Sequence, residues 1–99
     1  MNEHIYSSIS IHPSAIEDDL SSVHCYEVWA TWEEDGGNIG VFDLDGIIGW
    51  LYPVEDKETT WVWMNEAGHP TKVFMEGTIL MSWLKTLAPS VIWATEART

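Results

Sequence analysis

The order of apolar and polar positions along the chain predicts four antiparallel β-strands. Apolar and more polar side chains alternate over residues 23–33, which is the two-residue period of a half-buried strand. Three shorter segments with strand character complete the predicted meander, over residues 39–44, 47–52 and 59–64. Asp35-Gly36-Gly37-Asn38 and Asp45-Gly46 predict the first two turns, because Gly and Asn tolerate the backbone of tight hairpins.

The pattern changes after the meander. Apolar side chains recur at helical spacing over residues 73–87, and this predicts a helix that packs on one face of the sheet. The apolar stripe of this helix is expected to contain Phe74, Ile79, Leu80, Trp83, Leu84 and Leu87. Ala88-Pro89 is expected to end the helix, and residues 91–94 predict a short strand.

Two further elements are predicted before the meander. Residues 5–11 partly alternate and predict an edge strand. Ser14-Ala15-Ile16-Glu17 fits the capping box of a short helix over residues 14–21. The expected fold is α+β, in one domain over residues 1–99: a four-stranded antiparallel meander with a C-terminal helix packed on one face and a short N-terminal strand and helix.

Length and composition favour a soluble, cytoplasmic protein with its own core. The chain has 99 residues, of which 45% are hydrophobic, seven are Trp and one is Cys. The lone Cys25 excludes an internal disulfide framework and fits a reducing compartment. No secretory signal and no apolar stretch long enough to span a membrane is recognised.

Acidic residues are concentrated in the middle of the chain. The formal net charge is −12, from 16 Asp and Glu against four Lys and Arg. Residues 17–58 contain twelve of the acids and one base, Lys57, whereas residues 59–99 contain three of each. Direct binding to nucleic acid or to an anionic membrane is not expected, because both need Lys and Arg. The uneven distribution predicts a surface for a basic partner, with solvated acidic turns as the alternative.

The predicted meander collects these acids at its turns. The first and third turns of an up-and-down sheet lie at the same end, so six carboxylates are expected there: Glu33, Glu34, Asp35, Glu55, Asp56 and Glu58. A second patch is expected at the opposite end, from Asp43, Asp45, Glu17, Asp18 and Asp19. Such rows of negative charge are comparable with the phosphates of a nucleic acid. We therefore expect the partner-binding surface to imitate nucleic acid in its charge.

Three tryptophans are candidate anchors of the same interface. A sheet covered on one side cannot bury both of its faces, so part of the seven Trp side chains are expected at the surface, and the candidates are Trp29, Trp50 and Trp61. Trp is enriched where interfaces carry most of their energy. An aromatic patch would also suit a stacking platform for a small ligand, or a homodimer interface on the open face of the sheet, and both alternatives stay open.

No residue pattern typical of catalysis or cofactor binding is recognised. Asp43-Leu44-Asp45-Gly46 is similar to part of a calcium loop, but Val54 stands where that loop needs a bidentate Glu. His24 and Cys25 are strand neighbours that point to opposite faces, so Cys25 is interpreted as a core residue. The four His residues lack metal-ligand spacing. The expected protein is not an enzyme and has no cofactor and no metal.

In size, acidity and lack of catalytic residues, the chain resembles small acidic phage or mobile-element proteins that block host nucleic-acid-handling machinery, such as anti-CRISPR and anti-restriction inhibitors. It equally resembles the acidic immunity proteins that neutralise nuclease toxins. No motif carries either resemblance. The expected function is a non-enzymatic inhibitor that binds a basic nucleic-acid-binding protein or nuclease and blocks its groove by charge mimicry, in the host cytoplasm if a phage encodes it. The alternatives are an immunity protein and an aromatic module for a small ligand or for dimerisation.

Overall fold

The computed structural model describes residues 4–14 and 25–98. Within these ranges, six strands form one sheet and a single helix packs against it. The elements in chain order are β1 Ser8–Pro13, β2 Tyr26–Asp35, a 3-10 turn Gly37–Ile39, β3 Val41–Val54, β4 Lys57–Asn65, β5 Pro70–Phe74, α1 Gly77–Leu87 and β6 Val91–Trp93. The predicted α+β class is confirmed. The predicted helix over residues 14–21 lies, from residue 15 onward, outside the described residues, as do Glu17, Asp18 and Asp19.

The spatial order of the strands is β5-β4-β3-β2-β1-β6. Neighbouring strands are antiparallel, except that β6 runs parallel to β1. β1 was predicted as an edge strand over residues 5–11, and this is wrong, because β6 returns from the helix and pairs with its free side through Ile9↔Val91 and Ile11↔Trp93. The last strand therefore depends on the helix, which carries the chain from the β5 edge of the sheet to the β6 edge.

The core lies between α1 and one face of the sheet, which we call the inner face. Leu80 and Leu84 are four residues apart on α1 and are fully buried, and Ala88 continues the same stripe at the end of the helix. They pack against alternate residues of the strands, which include Ile9, Ile11, Val28, Ala30, Leu51, Trp63 and Phe74. The opposite, outer face of the sheet carries no helix among the described residues.

The helix is shorter at its start than predicted. Residues 73 and 74 were expected in the helix, but they end β5, and α1 begins at Gly77. Phe74 is buried, although from a strand, where it pairs with Trp61 of β4. Ile79 was predicted on the buried stripe and is instead 52% exposed. The short apolar run before Glu76 is compatible with the period of a helix and with that of a strand. It forms a strand because it pairs with β4.

Asp45-Gly46 does not form the predicted hairpin. β3 runs without interruption through both residues, with Asp45 opposite Thr31 and Gly46 opposite Ala30. The irregularity at this point is a β-bulge, since Trp29 faces Ile47 and Val28 faces Gly49, which leaves Ile48 as the extra residue. A turn at Asp45-Gly46 would have left the first residues of β2, from Tyr26 to Ala30, without their partners on β3, so tertiary pairing overrides the local turn signal.

No helix in the described ranges is both long enough and apolar enough to cross a lipid bilayer. The one helix of residues 4–14 and 25–98, α1, has 11 residues.

The close approach of β4 residues to β3 requires glycine at position 49. A Cβ atom added to Gly49 would overlap Cζ2 of the Trp63 ring and lie 2.8 Å from the main-chain oxygen of Met64. We expect Gly49→Ala to lower the free energy of unfolding by about 1–3 kcal/mol, because the buried indole has no space to move away. Gly46→Ala is the matched control on the same strand, since its Cβ would meet the Trp32 ring at an ordinary 3.5 Å. Urea unfolding of both variants measures the difference, and equal stabilities would contradict the packing described.

Candidate functional site

The β2–β3 pair extends beyond the rest of the sheet as a two-stranded ribbon. β1 pairs with β2 only as far as Thr31, and β4 pairs with β3 only from Gly49 onward. Among the described residues, the segments 32–35 and 41–44 thus pair with each other and with no third strand. Residues 31–45 form what we call the acidic ribbon, which contains no Lys or Arg and five acids: Glu33, Glu34, Asp35, Asp43 and Asp45.

One side of the acidic ribbon is lined with carboxylates. Glu33 stands opposite Asp43 in the ladder, and Asp35 and Asp45 follow two residues away on the same side of their strands. These four residues belong to the outer face of the sheet, and we call them the acidic face. All four are exposed. Facing like charges such as Glu33 and Asp43 are destabilising, so a partner of opposite charge would relieve a repulsion that the free protein retains.

The other side of the acidic ribbon is apolar and exposed. Phe42 and Leu44 stand opposite Glu34 and Trp32, and both keep about 40% of their surface in solvent. The indole Nε1 of Trp32 donates to Oε1 of Glu34 at 3.3 Å. Ile39 at the tip is 78% exposed. The ribbon is therefore amphipathic, with four of its five acids on its outer side and large apolar groups beside Glu34 on its inner side.

The loop at the tip of the ribbon forms where the sequence predicted a turn. Asp35 Oδ1 accepts a hydrogen bond from the main-chain N–H of Gly37 at 2.9 Å, and Gly36 N–H donates to the carbonyl of Gly40. Gly40 has a φ of 85°, which a residue with a side chain rarely adopts. Asp35 thus has a local structural role in addition to its charge.

Trp29 continues the outer face just below the acidic face, and Arg98 from the C-terminal segment covers it. The guanidinium carbon of Arg98 lies 4.1 Å from the centre of the Trp29 ring. The same guanidinium pairs with Asp45. Trp29 Nε1 donates to Glu27 Oε1 at 3.0 Å, and Trp50 stands opposite Glu27 on the neighbouring strand. Two of the three candidate tryptophans, Trp29 and Trp50, therefore share the outer face with the acidic face.

Glu55, Asp56 and Glu58 lie at the other end of the sheet, so the predicted group of six carboxylates at one end is wrong. The error follows from Asp45-Gly46, because without a hairpin there the turns after β2 and β3 fall at opposite ends. Asp56 has a φ of 71° in the tight β3–β4 turn, a conformation that Asp tolerates better than most residues. Asp43 and Asp45 were predicted in a separate patch at the opposite end of the sheet, and this is also wrong. Pairing of β3 with β2 places Asp43 opposite Glu33, with Asp45 two residues further along the same face.

Trp61 is separated from the other two candidate tryptophans. It lies on the inner face, where its ring makes edge contacts with Tyr26 at 5.6 Å and Trp93 at 5.3 Å between centroids. Tyr26 and Trp93 also contact each other at 5.3 Å. Trp61 therefore takes part in an aromatic cluster at the end of the sheet remote from the acidic ribbon.

An open cleft lies on the inner face at the base of the acidic ribbon. It has a volume of about 310 Å³ and is lined by Ile5, Tyr6, Trp32, Ile48 and Glu66. The rings of Tyr6 and Trp32 meet edge to face at 6.0 Å. Partial burial, and secondarily the charge of Glu66, raise the pKa of the Tyr6 hydroxyl. The lining thus consists of two aromatic and two aliphatic side chains and the single carboxylate of Glu66.

Groups with potential for metal or thiol chemistry are sparse in the described part of the chain. No three His, Cys, Asp or Glu side chains of residues 4–14 and 25–98 are arranged to hold a metal ion. Cys25 is buried, as predicted. Burial raises the pKa of the Tyr52 hydroxyl, and contact with the Cys25 thiol adds to this shift.

Sequence reasoning missed several residues of this region. Phe42 and Leu44 alternate with Asp43 and Asp45, and this alternation was a signal for an amphipathic strand that continues past Asp45. Arg98 had no such signal, because its partners Trp29 and Asp45 lie 69 and 53 residues earlier in the chain.

Comparisons of the chain with protein-family models, with curated proteins and with solved structures gave no match.

Proposed function

We propose that the protein is a non-catalytic inhibitor that places its acidic ribbon in the basic groove of a nucleic-acid-binding protein. The observation that supports this proposal is the amphipathic ribbon, which has a paired row of exposed carboxylates on one side and exposed apolar side chains on the other. Carboxylates supply attraction to a cationic groove, and the apolar side supplies contact area that an ordinary solvated turn does not offer.

The spacing of the acidic face supports imitation of a phosphate backbone. Its four carboxylates extend from the level of Asp45 to that of Asp35, which is four residues or about 14 Å of strand. Counting Asp45, whose charge Arg98 offsets in the free protein, this is about one charge per 3.5 Å, comparable with about one phosphate per 3.4 Å along a single strand of a duplex. A groove lined with Lys and Arg for phosphates would therefore meet a similar charge density on this protein.

The apolar side gives the complex a source of affinity that salt does not screen. Trp32, Phe42 and Leu44 lie behind the acidic face on the same ribbon. Aromatic and large apolar residues contribute strongly at interface centres once water is removed. We expect the partner to present an apolar margin beside its basic groove.

A small-ligand module is the second candidate function, and the cleft at Tyr6 and Trp32 favours it. Pockets for small molecules have volumes of about 300–1,000 Å³ and are mainly apolar with few polar groups. The volume of about 310 Å³ and the single carboxylate of Glu66 fit the lower end of that range. The cleft adjoins the ribbon, so a ligand there would contact Trp32 directly.

Capture of the partner followed by competition tests the proposal. The tagged protein is used to retain basic proteins from a lysate of the source cells, and the complex is then challenged with duplex DNA and with RNA. We expect the nucleic acid that the partner normally binds to displace this protein. The affinity should also fall at least tenfold between about 0.05 and 0.2 M salt, because several charge contacts are lost together.

Two outcomes would overturn the proposal. The first is a captured partner whose binding is unaffected by either nucleic acid. The second is binding that is insensitive to salt. Quenching of tryptophan fluorescence by nucleotides or sugars, with little salt dependence, would support the small-ligand module instead.

A further inference from the structure

The outer face already holds one guanidinium group, and its surroundings define a site. Arg98 stacks on Trp29 at 4.1 Å and pairs with Asp45. The Arg98 side chain is only 34% exposed. A planar cation over an indole face, with a carboxylate at its rim, is a favourable environment for arginine in particular.

The segment that brings Arg98 to this place is held to β1 by one main-chain and one side-chain hydrogen bond. Ala94 N–H donates to the carbonyl of Ile11 at 2.7 Å, and His12 Nδ1 donates to the carbonyl of Glu96 at 3.2 Å. Both anchors precede Arg98, and the contacts of Arg98 itself are made by its side chain. Release of the guanidinium therefore leaves the rest of the segment in place.

We propose that Trp29 and Asp45 form an arginine-binding subsite, occupied by Arg98 in the free protein and by an arginine side chain of the basic partner in the complex. This inference deepens the proposed function, on which the identity of the partner rests. Arg98 acts as an internal competitor that covers Trp29 until a partner with several arginines replaces it. The neighbouring carboxylates of Glu27, Glu33 and Asp43 would receive further cations of the same partner.

Internal competition has a calculable effect on affinity. One exposed cation–π contact and one exposed ion pair together favour the closed state by about three- to thirtyfold. A partner arginine has to overcome that factor, so removal of Arg98 should raise the affinity for free arginine groups by about the same amount. Lysine should bind less well, because its compact ammonium cannot stack on the indole while it pairs with Asp45.

The test uses the isolated protein and a defined probe. The indole N–H signal of Trp29 is followed by NMR while N-acetyl-arginine amide is added to the wild type and to Arg98→Ala and Arg98→Gln. We expect both variants to bind the probe at least threefold more tightly than the wild type, and N-acetyl-lysine amide to bind more weakly than the arginine probe. Lys85→Ala removes one positive charge from the exposed side of α1 and is the matched control, which should behave as the wild type.

Two results would overturn the subsite. One is an unchanged Trp29 signal in both Arg98 variants at high probe concentration, with the other tryptophan signals showing an intact fold. The other is equal response to arginine and lysine probes, which would indicate general attraction by negative charge. Neither result depends on the captured partner, so failure of the subsite and failure of the inhibitor function are distinguishable.

Discussion

Neutralising three acids of the acidic face, as Glu33→Gln, Asp35→Asn and Asp43→Asn together, should weaken binding to the captured basic partner by about 100-fold or more. Each truncated charge in a close interfacial pair costs about 2 kcal/mol or more, so 100-fold, about 2.7 kcal/mol, is a conservative total. Asn keeps the side-chain oxygen that accepts from Gly37 at the tip of the ribbon. The affinity is measured by calorimetric titration at about 0.1 M salt.

The opposite end of the sheet supplies a control with the same change in net charge. Glu55→Gln, Asp56→Asn and Glu58→Gln together remove three negative charges from exposed positions, and Asn is well suited to the positive φ of position 56. We expect this variant to bind within about threefold of the wild type. Equal losses in the two variants would mean that total charge, and not the acidic face, determines binding.

The variant with Glu33→Gln, Asp35→Asn and Asp43→Asn should be at least as stable as the wild type. Loss of the facing charges of Glu33 and Asp43 removes a cross-strand repulsion, so the melting temperature is expected to stay equal or rise slightly. This separates a loss of binding from a loss of fold. A clear fall in melting temperature would show instead that these acids stabilise the ribbon.

Leu80→Ala should lower the free energy of unfolding by about 2–5 kcal/mol. Leu80 is fully buried between α1 and the sheet, and its truncation leaves a cavity that the close-packed neighbours fill only in part. Because a domain of this size has a total stability of about 5–15 kcal/mol, this change removes a large share of it. Equilibrium unfolding in urea, with the m-value compared between variants, measures the effect.

The adjacent helix position provides the control. Ile79 is 52% exposed and lies outside the core cluster. Ile79→Ala should change stability by less than about 1 kcal/mol, since little surface is lost from the core and Ala favours a helix more than Ile does. A loss of 2 kcal/mol at Ile79, or none at Leu80, would place the buried stripe on a different side of α1.

Local patterns predicted most of the elements of the fold. Strand patterns identified β2 and β4, and helical spacing identified α1 together with its stop at Ala88-Pro89. The segments 39–44 and 47–52 were predicted as two strands but form the single strand β3, and β5 was not predicted. The tip loop at Asp35-Gly36-Gly37-Asn38 also lies where the turn chemistry placed it. These features depend on neighbours within about ten residues, which is the range over which side-chain period and turn propensity act.

The sequence predicted the acids of the candidate site and Trp29, but not their arrangement, the apolar side of the ribbon or Arg98. Asp45-Gly46 has the local signature of a hairpin, yet the first half of β2 was available as a ladder partner, and β3 continues along it. That one difference separates Glu55, Asp56 and Glu58 from the ribbon and adds Asp43 and Asp45 to it. One wrongly predicted turn changes the expected positions of whole groups of charged residues, because the direction of every later strand depends on that turn.

The sequence by itself determined the α+β character, the excess of acids in the middle of the chain and the alternation that makes a strand amphipathic. Only the tertiary structure decided which acids share a face, that β1 lies inside the sheet, and that Arg98 covers Trp29. The physical reason is the range of the interactions. Periodicity and turn preference are properties of neighbouring residues, whereas strand order, the register of β2 with β3 and the place of Arg98 are set by contacts between residues far apart in the chain.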